Sequence, residues 1–275
     1  MGDEAVVGGG NQPEATTPQA SPVANTGPSN EERQAAERMC AITISRLYGS
    51  GGGEIAARLA HRLGWQLVDH EVVVRVAHSL GITEEEAEAR DEHTADLISR
   101  ILSSFSLVYP SPEPLSPPTP ADGEHIYQDT LRQVIEQVAA EGHAVIIGRG
   151  SHLLLADRRD VLRVAVVAPE RQRIAYVARR EGLDEAHAQD RIRRKDADRR
   201  RYVETHYRQR PFQPQDYDLT VNTAVLSLDQ TLDLICLALT LKSQRLDIPE
   251  AELGPGAGLP RYAEKPADVP LPEDA

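Results

Sequence analysis

The sequence predicts an α/β protein in three layers, a mostly parallel sheet with helices on both faces. Three observations carry this. Short apolar runs alternate with segments of helical periodicity between residues 40 and 243, the order that joins parallel strands through covering helices. Polar or glycine-rich turns follow three of the runs, near residues 46–53, 69 and 148–150, and such sheets bind ligands at the carboxyl ends of their strands. The flanks are poor in bulky apolar side chains, a composition that buries too little surface to offset its ordering entropy.

In chain order, residues 1–38 read as a disordered tail. Cys40–Ser45 reads as a buried strand, Arg46–Gly53 as a turn, and Glu54–Leu63 as a helix with Ile55, Leu59, Ala60 and Leu63 on one side and Gly64 as its stop. Trp65–Val68 is a second strand ending at Asp69. Helices are expected over 70–80 and 83–105, the latter opened by Thr83 with Glu86 three residues on. The proline-dense stretch 107–123 reads as an irregular loop, followed by a helix over about 125–141. His143–Ile147 and Val161–Ala168 are strands, and Pro169 suits the first turn of the next helix. A charged helix covers 184–207, Tyr217–Asn222 is the last strand, and 228–243 is an amphipathic helix. One domain therefore spans 39–245, and residues 246–275, with prolines at 249, 255, 260, 266, 270 and 272, read as a second disordered tail.

The formal charge of −13 sits mostly in the flanks, where residues 1–38 and 244–275 together contribute −8. Residues 171–210 carry thirteen Arg and Lys against seven Asp and Glu, so an anionic ligand has a local partner. The chain has only three lysines, Lys195, Lys242 and Lys265. Cys40 and Cys236 fall in apolar segments and read as buried free thiols, and the histidines lack metal-ligand spacing. Met1–Glu4 is acidic rather than signal-like, and no apolar run reaches membrane-spanning length. These features point to the cytoplasm and away from membrane partners.

Gly49-Ser50-Gly51-Gly52-Gly53 lies between a buried strand and a helix start. Consecutive glycines let several N–H groups point at one spot, and the helix dipole adds positive potential. A tight turn alone would need fewer glycines, so the pattern favours phosphate binding. The Walker A pattern would place a lysine and a hydroxyl where Gly52-Gly53-Glu54 stand. No lysine lies near the loop, and Arg46 is the first candidate to supply the charge; a surface arginine at a strand end is the plainer reading.

Together these residues resemble the cytidylate kinase-like proteins, a branch of the bacterial cytidylate kinase group. The likeness rests on Ile42-Thr-Ile-Ser-Arg-Leu-Tyr-Gly-Ser-Gly-Gly-Gly-Glu-Ile-Ala56, Val68-Asp69, Val145-Ile-Ile-Gly-Arg-Gly150, Ala168-Pro-Glu-Arg171, Asp196-x-x-Arg199-x-x-Tyr202 and Tyr217-Asp-Leu-Thr-Val-Asn-Thr223. True cytidylate kinases keep the loop lysine and read Gly-Arg-Asp in the third motif; Gly52 and Gly150 replace those residues, a departure the branch shares. The resemblance implies a P-loop nucleoside monophosphate kinase fold with an acceptor region and an Arg-rich helical lid, here about residues 182–210. It implies ATP with Mg²⁺ as donor and a small phosphorylated acceptor. The segment between Asp69 and His125 stands where the usual acceptor region lies, so the acceptor base stays open.

Within the lid segment, Arg191, Arg194 and Lys195 share one helical face. Guanidinium groups closing over phosphates would stabilise a transferring phosphoryl group. Arg199 matches the lid arginine of the resemblance, with Asp196 orienting it, and Arg194 is a further phosphate candidate. A salt-bridged solvated helix or a nucleic-acid face are the alternatives; sparse aromatics and the acidic chain argue against nucleic acid. Arg149, directly after a buried strand, is assigned to the acceptor phosphate, with an ion pair to Asp69 or Asp157 as its plainer reading. Asp69 would organise Mg²⁺ or an acceptor hydroxyl, or else cap the following helix. The functional expectation is a kinase moving the ATP γ-phosphoryl group to a nucleoside monophosphate of CMP or dCMP type. The alternative is a nucleotide-binding sensor without turnover. The oligomeric state is left open.

Overall fold

The central strands carry apolar residues at successive positions, as a sheet buried on both faces requires. A computed structural model describes residues 27–69 and 120–254, with side chains of the helix that starts at Pro120 described from residue 129. Its strands are β1 (Ala41–Arg46), β2 (Gln66–Val68), β3 (Ala144–Ile147), β4 (Val161–Val167) and β5 (Leu219–Asn222). They form one sheet in the order β2-β3-β1-β4-β5, with every pair parallel. The chain reaches β3 on one side of β1 and then crosses to β4 on the other. The ends of β1, β3 and β4 therefore border the switch point where a crevice opens.

The described helices are α1 (Asn30–Arg38), α2 (Gly52–Leu63), α3 (Pro120–Glu141), α4 (Ser151–Leu154), α5 (Glu170–Glu181), α6 (Glu185–Tyr207) and α7 (Leu228–Ser243). One face of the sheet, through Ile42, Ile44, Val145, Ile147, Leu162, Val164 and Val166, packs under α1, α2 and α7. The opposite face, through Ala41, Val68, Ala144, Ile146 and Val161, packs on Leu131, Val134, Ile135 and Val138 of α3. The alternation along β1, β3 and β4 thus serves two cores, which gives the three layers. Val177 of α5 with Ala188 and Ile192 of α6 makes a smaller cluster that stands these two helices beside the crevice.

Three expectations need correction. The N-terminal tail does not run to residue 38: Asn30–Arg38 is helical, with Ser29 and Glu32 forming a capping box. A nine-residue helix is weak alone, but Ala35, Ala36 and Met39 are buried in the main core and Glu32 pairs with Arg62 at 2.6 Å. Small alanines seal that contact, so a search for bulky residues passes over it. The loop expected to end at residue 123 gives way to helix at Pro120, a residue that the first turn accepts because no intrahelical N–H is needed there. The C-terminal boundary also lies further on. Leu246 packs against the core, and Nη2 of Arg159 donates to the carbonyl oxygens of Arg245 and Ile248 at 2.6 and 2.8 Å. The helices expected over 70–80 and 83–105, and the rest of both tails, lie outside the described residues. Cys236 is buried and Cys40 half-buried, and burial raises both thiols to about 12. Among the described residues no helix is long and apolar enough to cross a membrane.

Candidate active site

The glycine turn opens α2 with its backbone in left-handed conformations. Gly49 and Gly51 both have φ +81°, a conformation that disfavours a side chain. Gly51 is also the N-cap of α2, so the first-turn N–H groups of Gly52 and Gly53 have no intrahelical partner and present the positive end of the helix. Ser50 departs from the expected role. It is buried, and its hydroxyl lies 2.9 Å from the Leu47 carbonyl oxygen and 3.0 Å from that of Val166; its N–H also turns to Leu47. Ser50 directs its hydroxyl proton at backbone carbonyls and so holds the loop's shape. The Thr223 hydroxyl, after β5, donates to the Ser50 carbonyl oxygen at 2.9 Å.

The loop is also clamped from α6. Asp196 accepts the Tyr48 N–H at 2.8 Å and Nη1 of Arg173 at 2.6 Å, and Arg173 in turn donates to the Tyr48 carbonyl oxygen at 3.0 Å. Asp196 lies 3.8 Å from Nη1 of Arg199, so orienting Arg199 is the lesser part of its work. Arg199 donates to the Arg46 carbonyl oxygen at 3.2 Å, and its guanidinium sits 5.4 Å from the Tyr48 ring centre. Burial lowers its pKa.

Two cavities meet at Arg46 and Arg199. The first, about 350 Å³, is lined by the loop residues Tyr48, Gly49, Gly51, Gly52 and Gly53 together with Arg46 and Arg199. The second, about 420 Å³, is lined by Arg46, Arg149, Arg199 and Lys195 together with Tyr202, Phe212 and Tyr217. Arg46 and Arg199 belong to both. Burial, then the nearby Arg199, lowers the Arg46 pKa to about 9, with Asp69 at the end of β2 acting in the opposite sense. Arg149 stands in the left-handed region at φ 53°, its guanidinium 5.0 Å from the Tyr202 ring centre, and its carbonyl oxygen accepts the Tyr207 hydroxyl at 2.6 Å.

Of the residues expected from sequence, Arg46, Arg149, Arg199 and Gly49, Gly51, Gly52 and Gly53 line these cavities, and Asp69 faces Arg46. Arg194 does not join them. Its side chain is exposed and its Nε donates to the Asp190 carbonyl oxygen of its own helix at 3.4 Å. Arg191 pairs with Glu181 and Arg193 lies 3.8 Å from Glu170, so the outer face of α6 spends its charge on neighbouring acids. Glu54, where a Walker loop would have its hydroxyl, pairs with Arg58 at 2.8 Å.

Sequence reading missed Arg173 and a buried chain formed by Ser45, His152 and Tyr217. Nδ1 of His152 lies 3.1 Å from the Ser45 hydroxyl and Nε2 lies 3.1 Å from the Tyr217 hydroxyl, with the two rings stacked at 4.8 Å. All three line the larger cavity. Burial, then Arg163, lowers the His152 pKa to about 4, so the imidazole is neutral at pH 7. Because the folded pKa lies below the unfolded value near 6.5, the unfolded chain takes up the proton first as pH falls. Stability from this group is intact above pH 6.5 and declines toward pH 4 by about 1.4 kcal/mol per pH unit. Urea titrations at pH 7 and 5 should show a smaller acid loss in His152→Gln than in the unchanged protein; equal losses would remove His152 as a source of acid sensitivity.

A parallel sheet of this order with a glycine cradle at the carboxyl end of β1 defines a P-loop kinase-type protein. The chain belongs to the cytidylate kinase-like family, whose model matches residues 41–225. Among solved structures it resembles an uncharacterised protein from Eubacterium ventriosum, with a TM-score of 0.54 and 19% identity over 73% of this chain and 98% of that one. A shikimate kinase from Acinetobacter baumannii, in complex with shikimate, gives a TM-score of 0.41 and 16% identity over 78% and 99%, a likeness too slight to bear on the acceptor. A stretch of 108 residues is 29% identical to a uronate isomerase of Corynebacterium glutamicum. That match covers 39% of this chain and 20% of the isomerase, so the chain spans about a fifth of that relative's length.

Proposed function

We propose that the protein transfers the γ-phosphoryl group of ATP to a small phosphorylated acceptor, with a nucleoside monophosphate of CMP or dCMP type as the first to test. The observation that carries this is the pair Arg46 and Arg199 standing in the common wall of the two cavities. Phosphoryl transfer needs a donor and an acceptor in line, with cationic forks at the group passing between them. In this reading the N–H groups of the glycine turn hold the donor phosphates, and Arg149 holds the acceptor phosphate. An acceptor oxygen attacks the γ-phosphorus, the bond to the β–γ bridging oxygen breaks, and ADP leaves. Arg46 and Arg199 stabilise the charge spread over the γ-oxygens.

Mg²⁺ would enter with ATP, where it neutralises charge on the β- and γ-phosphates. With Glu54 paired to Arg58 and the Ser50 hydroxyl committed to carbonyl oxygens, Asp69, whose charge acts on Arg46, would be the carboxylate to meet it, in keeping with a cation held by one or two carboxylates and substrate phosphates. Residues 182–210 would work as a lid. Their inner contacts, Asp196 and Arg199, rest on the loop backbone itself, so closure and nucleotide arrival are coupled and water is kept from the donor.

The test is transfer of label from γ-labelled ATP with Mg²⁺ to CMP, dCMP, UMP, AMP and GMP. A labelled diphosphate from one acceptor is expected. The second reading, a sensor without turnover, is favoured by the glycine at position 52. It would gain if ATP raised the melting temperature, as binding to the native state must, while all label stayed in ATP. No thermal shift with millimolar nucleotide would end both readings.

A further inference from the structure

Position 52, where a Walker loop would carry its lysine, and Arg46 compete for one volume. A Cβ built on Gly52 would lie 2.6 Å from Cβ of Arg46 and 3.2 Å from its Cγ, closer than side-chain atoms approach one another. Position 52 can carry a side chain only if position 46 does not. The stem of Arg46 passes over Gly52, and its Nη1 occupies the place that a Cβ on Gly148 would take. Gly148 has φ +75°, so glycine is needed there for conformation as well as for room. The side chain thus runs in a channel floored by two glycines, from the end of β1 to the turn after β3.

We infer that Arg46 is the donor-phosphate cation of this loop, doing from the end of β1 what a lysine at position 52 would do from the start of α2, and that Gly52 and Gly148 are the clearance it requires. The inference deepens the kinase reading and rests on it for the identity of the donor. Its physical basis is that Arg46 lines the loop cavity with Gly49, Gly51, Gly52, Gly53 and Arg199, while Arg149 joins Arg46 and Arg199 at the second cavity. Like charges gathered in a partly dry crevice are relieved when an anion arrives. The fork geometry of a guanidinium also suits two phosphate oxygens at once. The Arg46 pKa stays above neutrality, so the group is charged when nucleotide binds.

The test is binding, read without turnover. Calorimetry with Mg·ATP and with inorganic tripolyphosphate would compare the unchanged protein with Arg46→Met, Arg46→Gly, Gly52→Lys and the double variant Arg46→Gly/Gly52→Lys. Arg46→Met keeps the stem over Gly52 and removes the charge; it is expected to weaken both ligands about ten- to hundredfold with the melting temperature held. Gly52→Lys alone is expected to lower the melting temperature, because two stems then contest one space. The double variant is expected to bind both ligands at least tenfold more tightly than Arg46→Gly. Affinity within twofold of the unchanged protein in Arg46→Met would overturn the inference, as would a folded double variant no tighter than Arg46→Gly. Should the double variant not fold, Arg46→Met decides alone. A protein that binds tripolyphosphate through Arg46 yet moves no label refutes the kinase reading and leaves the arginine assignment standing. Label transfer undiminished by Arg46→Met does the reverse.

Discussion

Replacing Arg199 by methionine is expected to lower the rate of phosphoryl transfer about a thousandfold while the nucleotide-free protein stays folded. The guanidinium stands in the wall between the two cavities, where the γ-phosphoryl group would pass. Charge grows on its oxygens only during transfer, so a positioned fork there acts on kcat more than on ground-state binding. Methionine keeps most of the aliphatic stem packed. What the folded state loses is one hydrogen bond to the Arg46 carbonyl oxygen, a contact over the Tyr48 ring and a 3.8 Å ion contact with Asp196. It also gains relief, since Arg199 is a like charge beside Arg46. The melting temperature should therefore move by only a few degrees, roughly the effect of a 1 kcal/mol change. Arg199→Lys restores charge without the planar fork and is expected to remain at least tenfold below the unchanged protein. Single-turnover rates at saturating ATP measure both. A methionine variant within about threefold of the unchanged rate would take Arg199 out of the mechanism.

Most of the fold could be read because its signals are local. Strand runs, the glycine turn and the Gly64 stop each lie within a dozen residues, and the described strands and helices appear within a residue or two of their expected ends, apart from α3, which starts at Pro120 rather than near 125. The capping box of α1 was equally local, yet composition argued against it: alanines bury against α7 with little apolar bulk to announce them. In the site, the cradle and Arg149 were legible from position alone, since each follows a strand whose end must face the crevice. The role of α6 was less so. Arg191 and Arg194 turn outward, while Lys195 beside them lines the second cavity. Ala188, Ile192 and Val203 are buried, and Asp196 and Arg199 fall in the same stripe at helical spacing. Two charges interrupting an inward apolar stripe were the available signal, and they mark the residues that touch the loop. Partners from distant segments stayed hidden. Nothing near Ser45 in the sequence points to His152 or Tyr217, and Arg173 meets Asp196 only because α5 and α6 pack side by side.

That last contact yields the largest expected effect on stability. Asp196→Ala should lower the melting temperature by about 10 °C, from a loss of roughly 3–5 kcal/mol in a domain near 200 residues. The carboxylate is mostly buried, as is Arg173, and the pair is 2.6 Å apart. Alanine leaves the Arg173 guanidinium in a dry setting with the Tyr48 carbonyl oxygen as its remaining acceptor in this cluster, and it frees the Tyr48 N–H that Asp196 holds. The damage lies in the orphaned charge more than in the lost pair, so Arg173→Met/Asp196→Ala should be more stable than Asp196→Ala alone, a reversal that simple loss of packing would not give. Thermal unfolding of the three proteins decides this. A single variant melting within about 3 °C of the unchanged protein, or a double variant less stable than the single, would show that the loop keeps its shape without the clamp from α6. With the clamp required, one carboxylate on α6 holds both the glycine loop, through the Tyr48 N–H, and α5, through Arg173.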